Sequence, residues 1–93
     1  MARKTEGERL ILMDRTEIED GRAGEADGRL WIWFSGMSLS EAAAIAFNPE
    51  KTGRIRYQYG AMEDVYTGYT DCTNIGIGPE GLISISLRRE ENV

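Results

Sequence analysis

The sequence has no histidine and a single cysteine, Cys72. The commonest metal ligand and the usual general base are therefore missing together. No intrachain disulfide and no zinc-type cysteine cluster can form, which fits a reducing, cytoplasmic setting. No basic residue lies within ten positions of Cys72, so nothing nearby in sequence lowers its pKa, and an inert, half-buried thiol is expected. Long apolar runs are absent too. The run after "MARKTEGER" is only "LILM", too short for the core of a secretion signal or for a membrane span. Basic charge is scarce, and the formal net charge is −5, which works against neutralising the phosphates of nucleic acid or anionic lipid.

What is present suits one folded domain. At 93 residues the chain is too short for two cores, and its apolar content and two tryptophans exceed those of disordered chains. Residues 1–7 are polar and are expected to fray. "RLILMD" reads as a short strand with Leu10 and Leu12 on one face and Ile11 and Met13 on the other, and "TEIED" follows a kink at Asp14-Arg15. "RLWIWFSG" alternates Leu30, Ile32 and Phe34 with Trp31, Trp33 and Ser35, a strand central in its sheet or covered on both sides.

The period then changes. In "SLSEAAAIAFNP" Ser38 and Glu41 form a capping box, and Leu39, Ala42, Ala43, Ala46 and Phe47 make an apolar stripe at helical spacing. Asn48-Pro49 ends this short helix. "RIRYQYG" places Ile55, Tyr57 and Tyr59 on one face. "MEDVYTGYTDCTNIGI" reads as one long strand with a bulge or bend at Gly68, "GPEG" as a turn, and "LISISLRR" as a strand with Ile83, Ile85 and Leu87 inward. The expected fold is α+β: an antiparallel sheet of about five to six strands with one short helix packed on one face, or else a strongly curled sheet wrapped around the helix. No strong sequence repeat is visible.

"EDGRAGEADG", Glu19 to Gly28, is the most unusual segment. As a calcium loop counted from Asp20 it puts Arg22 third, Gly24 fifth, Glu25 sixth and Trp31 twelfth, which fails the ligand pattern. No metal and no cofactor are expected. Its two Asp-Gly steps are turn signals, so the segment reads as a connection that rejoins the sheet at Arg29. Its charge invites a second reading. From Asp14 to Asp27 there are six acids against Arg15 and Arg22, and if they share a face they form a patch for a basic protein surface.

The tyrosines Tyr57, Tyr59, Tyr66 and Tyr69, with Trp31 and Trp33, form the second cluster. About half of these six are expected in the core and the rest at an interface. Catalysis has little support: Glu63 and Asp64 point to opposite faces of a strand, and Ser35, Ser38 and Ser40 have no histidine or nearby lysine as base.

The stretch from "RLWIWFSGMSLSEAAAIAF" through "NPEKTG" to "MEDVYTGYTDCTNI", about residues 29 to 75, resembles small proteins carried by phages and prophages of Gram-positive bacteria. That resemblance implies a mobile-element protein that acts by binding in the bacterial cytoplasm. Two roles follow. One is a non-enzymatic inhibitor of a host defence nuclease, of the anti-CRISPR type. It would meet a basic surface of a CRISPR effector through Glu17, Glu19, Asp20, Glu25 and Asp27, with Trp31, Trp33, Tyr57, Tyr66 and Tyr69 as exposed anchors. The alternative is a virion structural or assembly component that forms homo-oligomers. Neither role involves direct contact with nucleic acid or membrane.

Overall fold

The computed structural model describes residues 8–90; the frayed segment expected at 1–7 lies outside them. In chain order the elements are β1 (Arg9–Met13), β2 (Thr16–Glu19), β3 (Arg22–Ala26), β4 (Arg29–Phe34), α1 (Leu39–Ala46), α2 (Pro49–Thr52), β5 (Arg54–Tyr59), β6 (Met62–Thr67), β7 (Asp71–Ile77) and β8 (Ile83–Arg88). The strands form two four-stranded antiparallel sheets, ordered β2-β1-β5-β6 (sheet A) and β3-β4-β8-β7 (sheet B). The α+β class stands, but the single sheet of five to six strands is replaced by two of four. No helix among the described residues is long and apolar enough to cross a membrane.

Three local features account for the second sheet. Part of the Glu19–Gly28 connection is itself a strand: Arg22 to Ala26 pair residue by residue with Trp33 to Arg29. The hairpin between them turns on Asp27 and Gly28, both at positive φ, the backbone that matches strand twist in a two-residue loop. Gly68 is a corner rather than a bulge. It has φ +81, its N–H donates to the Gly53 carbonyl, and Tyr69 and Thr70 carry the chain from sheet A to sheet B. The bulge lies further on, between Cys72 and Asn74.

The first half of the chain makes the same crossing at Asp20-Gly21. Asp20 takes φ +63 and donates its N–H to the Arg9 carbonyl. Gly21 is buried, and a Cβ there would lie 2.7 Å from Ile11 Cδ1 and 3.2 Å from the Trp33 carbonyl oxygen. A Cβ would push the Ile11 terminal methyl aside and press on the Trp33 carbonyl, so glycine suits the close crossing.

The two halves therefore follow one path: hairpin in sheet A, corner, hairpin in sheet B. In sheet A the half-turn that exchanges Ile11 with its partner Tyr57 also exchanges β1 with β5, and in sheet B the Ile32–Ile85 pair plays that part for β4 and β8. The β1–β2 turn uses Asp14 at φ +56 and the β5–β6 turn Gly60 at φ +57. This repeat lives in the topology, not in the residues.

Alternation fixes the core. Ile11, Met13, Ile18, Ile55 and Tyr57 from sheet A meet Leu30, Ile32, Phe34, Ile83, Ile85 and Leu87 from sheet B, each fully buried large apolar side chain contributing about 1.5–3 kcal/mol. Ser86, on the outer face, is also buried; Thr73, at the β7 bulge, hydrogen-bonds to its hydroxyl and its carbonyl.

The capping box forms as expected, with Ser38 Oγ accepting from Glu41 N–H and Glu41 accepting from Ser38 N–H. The buried stripe, however, is Ala42, Ile45 and Ala46, while Leu39 is exposed and Phe47 is 62% exposed. The helix rests on β7 and β8 of sheet B, and Phe47 is already the C-cap, off the helical register. Asn48 caps the one-turn helix α2, so "NPEKTG" is not a plain loop.

Gly21→Ala should cost about 1–3 kcal/mol in chemical denaturation, as overpacking does. Gly24→Ala, whose Cβ meets nothing within 4 Å, should change stability by less than about 1 kcal/mol. Equal costs would contradict the tight crossing.

Candidate functional site

Strand alternation sorts the acidic residues. Glu17 and Glu19 flank inward-facing Ile18 on β2, so both carboxylates stand on the outer face of sheet A, at its edge. Asp20 sits at the corner and Asp27 at the tip of the β3–β4 hairpin. Glu25 pairs with Leu30 and so lies on the inner side of β3, where it accepts a hydrogen bond from the Tyr69 hydroxyl. The two ion pairs among the described residues are Arg56–Glu63 at 2.9 Å and Arg88–Asp71 at 3.0 Å. Neither includes an acid of the Asp14–Asp27 region.

Trp31 and Trp33 lie on the outer face of sheet B with rings nearly parallel, 11° apart, and centroids 6.3 Å apart. Gly24 and Ser86 flank Trp31, and Arg22 and Ser84 flank Trp33. Glu17 and Glu19 thus stand on one outer surface of the sandwich and the tryptophan pair on the other. The expected single acidic and aromatic interface does not form from all of these residues, because the chain changes sheets between them. Asp20 and Trp33 do meet. With Arg22, Ser35 and Leu82 they line a shallow groove of about 390 Å³ at the corner.

Two of the expected anchors are core residues. Tyr57 is 8% exposed and Tyr69 4%. Tyr57 stands opposite Ile11 in the centre of sheet A, and Tyr69 is folded in at the corner with Arg89 over its ring, 4.9 Å from the centroid. Both are corrected from exposed anchors to buried side chains. Tyr66 is half-buried, edge-on to Tyr69.

These tyrosines belong to a different feature. An open cleft of about 650 Å³ lies between the β5–β6 hairpin and β3, with Tyr57, Tyr59, Asp64 and Tyr66 on one side and Ala23 and Gly24 on the other. Arg9 also lines it. Asp64 pairs with Tyr57 across the hairpin, so its carboxylate faces the same way as that buried ring. It accepts hydrogen bonds from the Tyr59 hydroxyl at 3.1 Å and the Tyr66 hydroxyl at 3.5 Å. The rings of Tyr57 and Tyr59 are 5.0 Å apart.

The surroundings raise the pKa of Tyr59, Tyr66 and Tyr69. Burial, then the charges of Asp64 and Glu25, push Tyr66 up to about 12. The hydrogen bond to Asp64 raises Tyr59, and burial together with Glu25 raises Tyr69. Burial also pushes the Cys72 thiol up, against a reactive cysteine. Among the described residues no three acids or cysteines are grouped to hold a metal ion.

Sequence reasoning passed over Tyr59 and Asp64 as site residues. The signal was available: Ile55, Tyr57 and Tyr59 share a face, and a two-residue turn at Gly60-Ala61 brings Met62, Asp64 and Tyr66 onto that same face. A carboxylate at an inward position needs a partner or a ligand.

A tyrosine whose folded pKa is raised favours the fold while protonated, so the stability it contributes is intact below pH 10 and is lost as pH rises toward 12. Denaturant titrations at increasing pH should show a decline through that window, and Tyr66→Phe should reduce it. A decline of the same size in Tyr66→Phe would contradict the assignment.

No protein-family model, no curated protein and no solved structure matches this chain.

Proposed function

We propose that this chain is a non-enzymatic binding protein that inhibits a bacterial defence nuclease in the manner of anti-CRISPR proteins, by covering a basic protein surface. The docking surface is the β2 edge of sheet A and the adjoining corner. Glu17, Glu19 and Asp20 supply the charge, and Trp33 joins them through the groove it shares with Asp20 at the corner. The supporting observation is that these three carboxylates are exposed, lie within four residues along one edge, and take part in neither ion pair found among the described residues. Glu17 shares a groove with Arg54 and Arg56, while Glu19 and Asp20 crowd negative charge at the edge, which discourages strand addition and suits a basic partner. The nuclease is the kind of partner implied by the resemblance to phage proteins, since its nucleic-acid channel is positively charged.

A second reading rests on the other edge of sheet A. Met62, 60% exposed, and Val65, also exposed, stand on opposite faces of edge strand β6, and the free edge of that strand suits pairing with a second copy in a virion assembly. Sedimentation of the purified chain decides it: a concentration-dependent dimer favours self-assembly, and a monomer at all concentrations removes it.

Asp20 holds a left-handed backbone position, so charge reversal belongs on its neighbours. With the partner isolated from the bacterial host, Glu17→Lys with Glu19→Lys should weaken binding at least ~10-fold and flatten its dependence on salt. Unchanged affinity and slope would remove the acidic edge from the mechanism.

A further inference from the structure

The cleft between the β5–β6 hairpin and β3 carries an inference independent of the acidic edge. The path of the chain repeats, and the repeat makes two residues equivalent. Ile18 stands opposite Ile11 on the strand beside it, and Asp64 stands opposite Tyr57. The first half fills this inward position with a buried isoleucine. The second half places a carboxylate there, surrounds it with phenols, and leaves the space in front of it open. Tyr57 and Tyr59 likewise occupy the places of Ile11 and Met13. At the equivalent positions of the first half Ile11, Met13 and Ile18 are all buried apolar side chains. Departures of this kind from local consistency concentrate at functional sites.

The chemistry of the lining selects the ligand. Tyr59 and Tyr66, both half-buried, line the cleft with aromatic surface of negative potential, and Tyr57 backs them from the core; a cation over such a ring face is attracted electrostatically. Tyr59 and Tyr66 both donate to Asp64, which shifts electron density toward their rings and holds the carboxylate between them. The raised pKa values of Tyr59 and Tyr66 keep both hydroxyls protonated at neutral pH. In the lining Arg9 and Asp64 balance each other, and Glu25, whose charge reaches Tyr66, tips the local field negative. A divalent metal is disfavoured, because a hard ion needs six or more oxygens and Asp64 is the one carboxylate lining the cleft. An anion is opposed by Asp64 in the lining and by the charge of Glu25 behind Tyr66. We infer that the cleft is an aromatic site for the ammonium group of a small organic cation, seated on Tyr59 and Tyr66 with Asp64 as its counter-ion.

The outer tryptophan pair offers a competing surface, since tryptophan is the strongest cation–π partner, so the test must separate the two. Choline is the probe, and its uncharged isostere, with a tert-butyl group in place of the trimethylammonium, is the control. Ring-proton NMR shifts of the full chain are followed in each titration. The expected result is saturable shifts of Tyr59 and Tyr66 with choline, and binding of the isostere at least ~10-fold weaker. Asp64→Asn, which keeps the shape of the side chain, should weaken choline by a similar factor while leaving the remainder of the spectrum in place. Tyr59→Leu serves as a second variant and should weaken choline without abolishing the fold. Equal binding of choline and the isostere, shifts confined to Trp31 and Trp33, unaltered affinity in Asp64→Asn, or no saturable shift would each overturn the inference.

Discussion

The approach of Gly21 to Ile11 and to the Trp33 carbonyl sets how the two sheets meet. With no side chain at Gly21, the chain leaves β2 and enters β3 against the inner surface, and a Cβ would stand 2.7 Å from Ile11 Cδ1. That crossing lets β1 and β4 place their apolar faces on one core. Gly68 makes the corresponding crossing in the second half with a backbone at φ +81. A short chain has little apolar surface to bury, and splitting its strands between two facing sheets allows every strand to contribute one face. The cost is that the outer faces separate the chemistry: Glu17 and Glu19 end on one surface, Trp31 and Trp33 on the other.

The same arrangement explains why the tyrosines are not simply anchors. Tyr57 and Tyr69 are held in the core by neighbours on both sides, and Tyr59 and Tyr66 are half-exposed with hydroxyls committed to Asp64. Along sheet B the two halves use the same chemistry, Leu30, Ile32 and Phe34 against Ile83, Ile85 and Leu87. Along sheet A they diverge, with Ile11, Met13 and Ile18 matched by Tyr57, Tyr59 and Asp64. On the inner face of sheet B, β4 and β8 are thus built for packing and Glu25 on β3 is tied to Tyr69; in sheet A the polar departure gathers at one end, where the cleft opens.

Several elements were legible in the sequence because local chemistry and tertiary packing agree there. The alternation of β4 and β8, the Ser38–Glu41 capping box and the turn at Asp27-Gly28 are of this kind. β3 was not legible: "RAGEA" has weak strand preference and becomes a strand only by pairing with β4, and propensity yields to such context. Gly68 was ambiguous because a bulge and a corner both call for its backbone freedom, and only the opposite sheet distinguishes them. The helix stripe was misplaced toward Phe47, since helical spacing cannot tell where the cap ends the register. The acidic charge was legible as a sum and not as a surface. Which carboxylates share a face depends on strand β3, and that strand sets Glu25 inward beside Tyr69.

The central claim is that Asp64 occupies a position the fold would fill with an apolar side chain, and that it is kept there for binding. Equilibrium unfolding of Asp64→Ile, which copies Ile18 of the first half into the second, tests this most directly. Stability equal to the parent within about 1 kcal/mol, or higher, is the predicted result. A loss of more than about 3 kcal/mol, the scale of breaking a buried polar partnership, would make Asp64 a residue of the fold and contradict the account.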